Sequence, residues 1–258
     1  MNERKTMVLV FAGPNGSGKS TTTEMIKKVG QYINADEIVK STGFDNLTAA
    51  QMAEKMRNSC IDNNKDFTFE TVMSTPRNLE LLKRAKEQGY FIKSIFVLTD
   101  SPQVNVNRVK NRVKLGGHDV PKDKIISRYY RSLDLLPELI KVSDICNVVD
   151  NTLKPFRIFS KKNGTFRLWE NELFDAERIS KITAVSQFNE RHIISEKPVF
   201  ETPYLIEVKS KEQIDALRNA DIKLDVPRTK DGRILVYIDK KDAVKAKEIV
   251  RDSSKLIR

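Results

Sequence analysis

The stretch Gly13-Pro-Asn-Gly-Ser-Gly-Lys19-Ser20 constrains this chain more than any other. It is a complete G-x-x-x-x-G-K-S. It follows the apolar run Lys5–Ala12 and opens a segment of helical period over Thr21–Val29. Strand, glycine loop and helix in that order make a cradle for phosphates. Gly13, Gly16 and Gly18 permit backbone conformations and a close approach that a Cβ blocks. The loop N–H groups and the positive end of the helix then surround the anion. Pro14, Asn15, Ser17 and Thr21 complete the nucleotide-contacting stretch. Lys19 is expected to reach the β- and γ-phosphates and the Ser20 hydroxyl to ligate Mg²⁺, so the implied cofactors are ATP and Mg²⁺. A glycine-rich turn without a ligand is the alternative, and the strand and helix on either side count against it.

The rest of residues 1–150 repeats the same alternation. Strands are predicted at Tyr32–Ile38, Asp66–Glu70, Phe91–Thr99 and near Asp144–Asp150. Helices are predicted over about Ala49–Asn63, Asn78–Gln88, a basic stretch after Asp100, and Lys122–Leu133. Strands separated by helices imply right-handed crossovers, hence an α/β fold with a mostly parallel, five-stranded sheet covered by helices. Ligands bind beyond the carboxyl ends of such strands. After Asp150, Phe156–Trp169 alternates on both sides of Asn163-Gly164, which signals a hairpin, and a helix follows over Glu172–Ile182. Residues 1–185 form one domain on this reading, with a lid at 104–131 and the hairpin at 156–169. A polar stretch around Ser186–Lys197 leads into a small α+β module at 196–258, with a turn at Asp231-Gly232.

Net charge is +11, and eight basic residues against two acidic ones between Val104 and Arg131 supply over half of it. A single dense cluster fits a phosphate clamp better than a surface that tracks a nucleic-acid backbone. The module from Ser186 onward mixes 16 basic with 13 acidic residues, an ordinary solvated surface. Aromatic content is 7%, which also counts against nucleic acid as substrate. No apolar run approaches the roughly 20 residues that cross a bilayer, so no membrane partner is expected. Two distant cysteines, Cys60 and Cys146, exclude a disulfide framework and fit a reducing cytoplasm.

The strand ends supply the remaining candidates. Asn34-Ala-Asp36-Glu37 follows the second strand, where a carboxylate can take a proton from a hydroxyl attacking the γ-phosphate. A helix cap is an equal reading for this aspartate. Glu70-Thr71, with Ser74, Thr75 and Arg77 behind, can hold a metal's water shell or hydrogen-bond an acceptor, or simply cap a helix opened at Thr75-Pro76. Asp100 ranks below Glu70 as the metal-side acid. Arg108 and Arg112 are four apart and share a helix face. With Arg128 and Arg131 they can neutralise a transferring phosphoryl group. Gly116-Gly117 provides the break expected of a closing segment. His118 and His192 are too isolated for a metal pair.

Together GPNGSGKST (13–21), NADEI (34–38), FETVMS (69–74) and RVKNRVKLGGHDVPKDKIISRYYRSL (108–133) resemble the zeta toxin family of phosphate-loop kinases, in its compact bacterial form, over about residues 5–185. The resemblance implies a kinase-type fold like that of nucleotide and shikimate-type kinases, and ATP- and Mg²⁺-dependent phosphorylation of a hydroxyl. In the best-known members the acceptor is a hydroxyl of UDP-N-acetylglucosamine, and a protein antitoxin blocks the ATP site. By resemblance Lys19 and Ser20 serve phosphate and metal, and Asp36 is the general base. Glu70 and Thr71 match the acceptor-contacting Glu-Thr, and two of the arginines in 108–131 match the γ-phosphate clamp, with Arg108, Arg112 and Arg128 as the candidates. Asn34, Glu37 and Ser74 are acceptor-side candidates from their place beside these strand ends. The alternatives are a nucleotide-gated ATPase working through its C-terminal module, and a kinase for nucleic-acid ends.

Overall fold

The computed structural model describes residues 4–117, 119–162, 164–185, 193–196, 203–208, 210–224, 228–230 and 233–253. The chain divides into two compact units, Met1–Ser195 and Glu196–Arg258.

The first unit is built on one sheet. Its parallel strands are β1 (Met7–Ala12), β2 (Gln31–Ile33), β3 (Phe67–Thr71), β4 (Phe91–Leu98) and β5 (Ile145–Asp150). An antiparallel hairpin, β6 (Phe156–Lys162) and β7 (Thr165–Trp169), extends the same sheet, and β8 (Ile193–Glu196) ends it. The order is β2-β3-β1-β4-β5-β6-β7-β8, with the strand before the glycine loop between β3 and β4. The helices are α1 (Lys19–Met25), α2 (Ala35–Thr42), α3 (Asn46–Asp62), α4 (Arg77–Glu87), α5 (Pro102–Lys114), α6 (Lys122–Asp134), α7 (Leu136–Val142) and α8 (Ala176–Thr183).

A central parallel strand must bury both faces, and β1 does. Val8, Val10 and Ala12 join Ile33, Phe67, Phe69 and Leu82 in the larger core. The alternate residues Leu9 and Phe11 pack with Ile95 and Val97 against Ile26 and Val29 behind the glycine loop. Register then aligns the strand ends: Ala12 stands opposite Thr71 and Phe96, and Leu98 opposite Asp150. All the loops that follow these strands therefore open on one edge of the sheet.

Three details differ from the sequence reading. The second strand stops at Ile33, five residues earlier than expected, because the Asn34 side-chain oxygen accepts the backbone N–H of Asp36 at 2.9 Å and starts α2 at Ala35. Helix α7 was not anticipated; Pro137 in its first turn supplies no N–H that the helix needs. Within the polar stretch 186–197, residues 193–196 form β8, and the remainder lies outside the described residues. Asn163, His118, His192 and the turn Asp231-Gly232 also lie outside them.

The second unit contains β9 (Pro203–Val208), α9 (Lys211–Asn219), β10 (Arg228–Lys230), β11 (Arg233–Asp239) and α10 (Ala243–Ser253). Its antiparallel sheet runs β10-β11-β9, and Ile206, Val208, Leu217, Val236, Ile238 and Ala246 form a core of its own.

Candidate functional site

The glycine loop spans the end of β1 and the start of α1. Gly13 has φ +138°, and a Cβ there would lie 2.0 Å from the Val97 carbonyl oxygen. Gly18 caps α1 in the left-handed region at φ +92°, where a Cβ would meet the Asn151 amide at 2.2 Å. Only glycine fits at either position. The loop is closed on itself by Ser17 N–H donating to the Pro14 carbonyl (3.3 Å) and Lys19 Nζ donating to the same carbonyl (2.9 Å). Asn151 Nδ2 donates to the Ser17 carbonyl at 2.8 Å and ties the loop to the end of β5.

A cleft of about 500 Å³ lies over this loop. Asn15, Gly16, Gly18, Lys19, Ser20 and Thr21 form its floor; Asn34, Ala35 and Asp36 come from the start of α2 and Glu70, Thr71 and Val72 from the end of β3. Arg108, Val109 and Arg112 on α5 and Asn151 after β5 complete it. The sequence candidates from four separate segments thus meet in one cavity on the carboxyl edge of the sheet.

Charges in the cleft act on one another. Withdrawal of the Lys19 ammonium from water lowers its pKa to about 8; the carboxylates of Glu70 and Asp36 oppose that shift and Arg112 adds to it. Ser20 Oγ donates to Glu70 Oε2 at 3.0 Å, and Tyr32 donates to Glu70 Oε1 at 2.6 Å. Burial, with Glu70 beside it, pushes the Tyr32 phenol well above its ordinary value, so it stays a neutral donor. Asn34 Nδ2 donates to the Tyr32 oxygen at 2.9 Å, so Asn34 both caps α2 and orients the phenol that holds Glu70. Thr71, which lines the cleft, accepts at Oγ1 from Met73 N–H (3.0 Å) and Asn78 Nδ2 (2.8 Å), and its hydroxyl hydrogen remains available as a donor.

The lid arginines separate. Arg108 lines the cleft and donates to the Thr152 carbonyl at 2.9 Å. Arg112 also lines it, and Gly117 leaves room for its side chain, since a Cβ there would come within 2.5 Å of Arg112 Cγ. Arg128 does not line the cleft; it donates to Asn15 Oδ1 at 3.4 Å and so reaches the loop from α6. Arg131 turns back onto its own helix, donating to the Ser127 carbonyl. Glu37 is exposed beside Asp36 and Ser74 is half-buried; neither lines the cleft. Gly13, Pro14 and Ser17 shape the loop from beneath. Asp100 pairs with Arg178 at 2.6 Å, away from the cleft lining.

Sequence reasoning missed Tyr32, Val72, Val109 and Asn151. The rule that ligands sit beyond strand ends already pointed at Asn151, which follows β5 directly.

Among the described residues no group of three or more His, Cys, Asp or Glu side chains could hold a metal ion. The adjacent Ser20 hydroxyl and Glu70 carboxylate are nevertheless hard oxygen ligands. They suit a Mg²⁺ ion that takes its other ligands from phosphates and water. No helix among the described residues is long and apolar enough to cross a membrane.

Comparisons with known proteins fit this picture. A family model described as zeta toxin matches residues 40–173, which include Glu70, Thr71 and the lid arginines and start just after Asp36. An uncharacterized protein of Haemophilus influenzae is 28% identical over 127 residues, 47% of this chain and 91% of that protein. The solved complex of AvrRxo1-ORF1 and ORF2 with ATP has a TM-score of 0.54 at 14% identity, covering 84% of this chain and 72% of that one, and so shares the fold. The PezAT toxin–antitoxin system of Streptococcus pneumoniae has a TM-score of 0.47 at 11% identity, covering 74% and 83%. With just over half of its length inside the family model, this chain belongs to the zeta toxin family and carries its phosphate-loop kinase fold.

Proposed function

We propose that this chain is an ATP-dependent kinase that moves the γ-phosphoryl group of ATP to a hydroxyl of a small metabolite, with a UDP-amino sugar such as UDP-N-acetylglucosamine as the first acceptor to test. One observation carries the reading. A phosphate loop, an exposed aspartate, a Glu-Thr pair and two arginines from four segments of the chain line one cleft.

In this reading the loop N–H groups and Lys19 hold the triphosphate, and the α5 arginines face its terminal group. Asp36 has the free carboxylate on the acceptor side and takes the proton of the attacking hydroxyl. Glu70 is restrained by Tyr32 and Ser20, which suits it to hold a metal's shell rather than to move a proton. Ser20 and Glu70 are the residues that would hold Mg²⁺, which neutralises charge on the phosphates when bound. Thr71 donates to an acceptor oxygen. Arg108, Arg112 and, through Asn15, Arg128 stabilise charge as the bond to the leaving group lengthens. A protein antitoxin is proposed as partner from the family; AvrRxo1-ORF1, whose fold this chain shares, was itself solved with a second protein.

The test is incubation with labelled ATP, Mg²⁺ and a panel of nucleotide sugars, nucleosides and oligonucleotides, read by mass spectrometry. A gain of one phosphate on a nucleotide sugar is expected. Steady phosphate release with no phosphorylated compound overturns the kinase reading in favour of a nucleotide-gated ATPase.

The lowered Lys19 pKa adds a second expectation. Below about pH 8 the amine is protonated in the free protein, and ATP affinity should be flat. Above it the free protein has lost the proton that the polyanion needs, so affinity should fall by up to about tenfold per pH unit. Nucleotide titrations between pH 6.5 and 9.5 read this out. Lys19→Arg, which keeps its charge, should abolish the slope; a slope that persists there assigns it to another group.

A further inference from the structure

A second cleft, of about 200 Å³, opens between α3 and α4. Arg57, Arg77 and Arg84 line it together with Glu54 and Glu80, which leaves one net positive charge. Arg57 decides its character. This side chain is only 8% exposed, and its guanidinium lies over the Phe69 ring at 5.2 Å. Among the described residues its buried Nε has no hydrogen-bond partner, and neither has the buried Nε of Arg84. Nearly every buried guanidinium is hydrogen-bonded, because an unpaired donor away from water keeps its full desolvation cost. Both arginines line this one cleft, so its wall has guanidinium groups whose hydrogen-bonding capacity is not fully used, which suits an acceptor-rich ligand. The neighbouring ion pairs do not fill that need. Arg77 meets Glu54 at 3.3 Å and Arg84 meets Asp62 at 3.2 Å, both in solvent-exposed positions where such pairs hold little energy and can exchange for a better anion.

We propose that this α3–α4 cleft is a second anion-binding site, which takes a phosphate group on Arg57, Arg77 and Arg84. Planar guanidinium forks match phosphate oxygens in pairs, and a ring-stacked arginine holds its fork still while it does so. The site goes beyond the kinase reading and does not depend on it. It has two sources of ligand, free inorganic phosphate and a phosphate carried by the acceptor. The second is open because Asn78, on the wall of this cleft, donates to Thr71, which lines the ATP cleft.

The experiment titrates inorganic phosphate into Lys19→Ala, in which the glycine loop is disabled, and reads binding by calorimetry and by the NMR signals of the arginine Nε–H groups. Saturable binding is expected, weakened about tenfold or more by adding Arg57→Gln or Arg77→Gln. Arg77 is 71% exposed, so its replacement leaves the core intact and separates loss of the site from loss of folding. No saturable binding in Lys19→Ala, or equal binding after both arginine replacements, overturns the proposal. UDP added to the phosphate complex then identifies the source: displacement of phosphate assigns the site to the acceptor's diphosphate, and simultaneous binding assigns it to free phosphate.

Discussion

Asp36→Asn should lower turnover by about 10²–10⁴, the usual size of a general-base contribution, while ATP affinity stays nearly unchanged. The substitution is close to isosteric and leaves α2 in place, because the cap is made by Asn34 and only the backbone N–H of Asp36 takes part. Among the described residues the Asp36 side chain makes no hydrogen bond that would be lost; it is exposed and lines the same cleft as Lys19. What disappears is an acceptor for the hydroxyl proton. Single-turnover kinetics with the acceptor and a nucleotide titration on the same sample measure the two quantities separately. Turnover within a few-fold of the parent would remove Asp36 from the chemistry and leave the carboxylate of Glu70 as the nearest alternative.

Lys19→Ala should reduce kcat/KM by about 10²–10⁴, and here the loss should include ATP affinity. A charge-assisted hydrogen bond contributes about 1.5–3 kcal/mol, and in the proposed reading this amine serves two phosphates. The ammonium donates to the Pro14 carbonyl within the loop at 2.9 Å. Its replacement should cost the ligand-free fold little, since its charge is held there against desolvation. Thermal unfolding with and without ATP checks this: the free transition should be nearly unmoved and the ATP-induced shift lost. A retained shift would mean that the loop N–H groups alone hold the nucleotide.

Much of this site could be read from the chain because its parts are local. The glycine loop needs glycine where φ is positive and where Val97 and Asn151 press on the backbone, and such a requirement leaves a mark at fixed spacing. The parallel strands showed as short apolar runs because both of their faces are covered. The error at Tyr32–Ile38 arose where two local rules compete: Ile38 continues an apolar pattern, but the Asn34 cap ends the strand first. Glu37 and Ser74 were drawn in by adjacency to Asp36 and Thr71. Helical and loop geometry turn them elsewhere, a matter of a rotation of about 100° per residue on α2 that spacing alone does not resolve. Arg128 and Arg131 look equivalent in sequence, yet one reaches Asn15 and the other its own helix.

The sequence by itself determined the phosphate loop, the alternation that makes a parallel sheet, and the family, because each is written in residues close together along the chain. Only the tertiary structure decided which side chains share the cleft with Lys19, that Tyr32 and Ser20 restrain Glu70, and that Arg57 and Arg84 keep buried donors without partners among the described residues. Those relations join residues tens of positions apart. Strand order and register bring them within hydrogen-bonding reach, and neither is encoded at any single position.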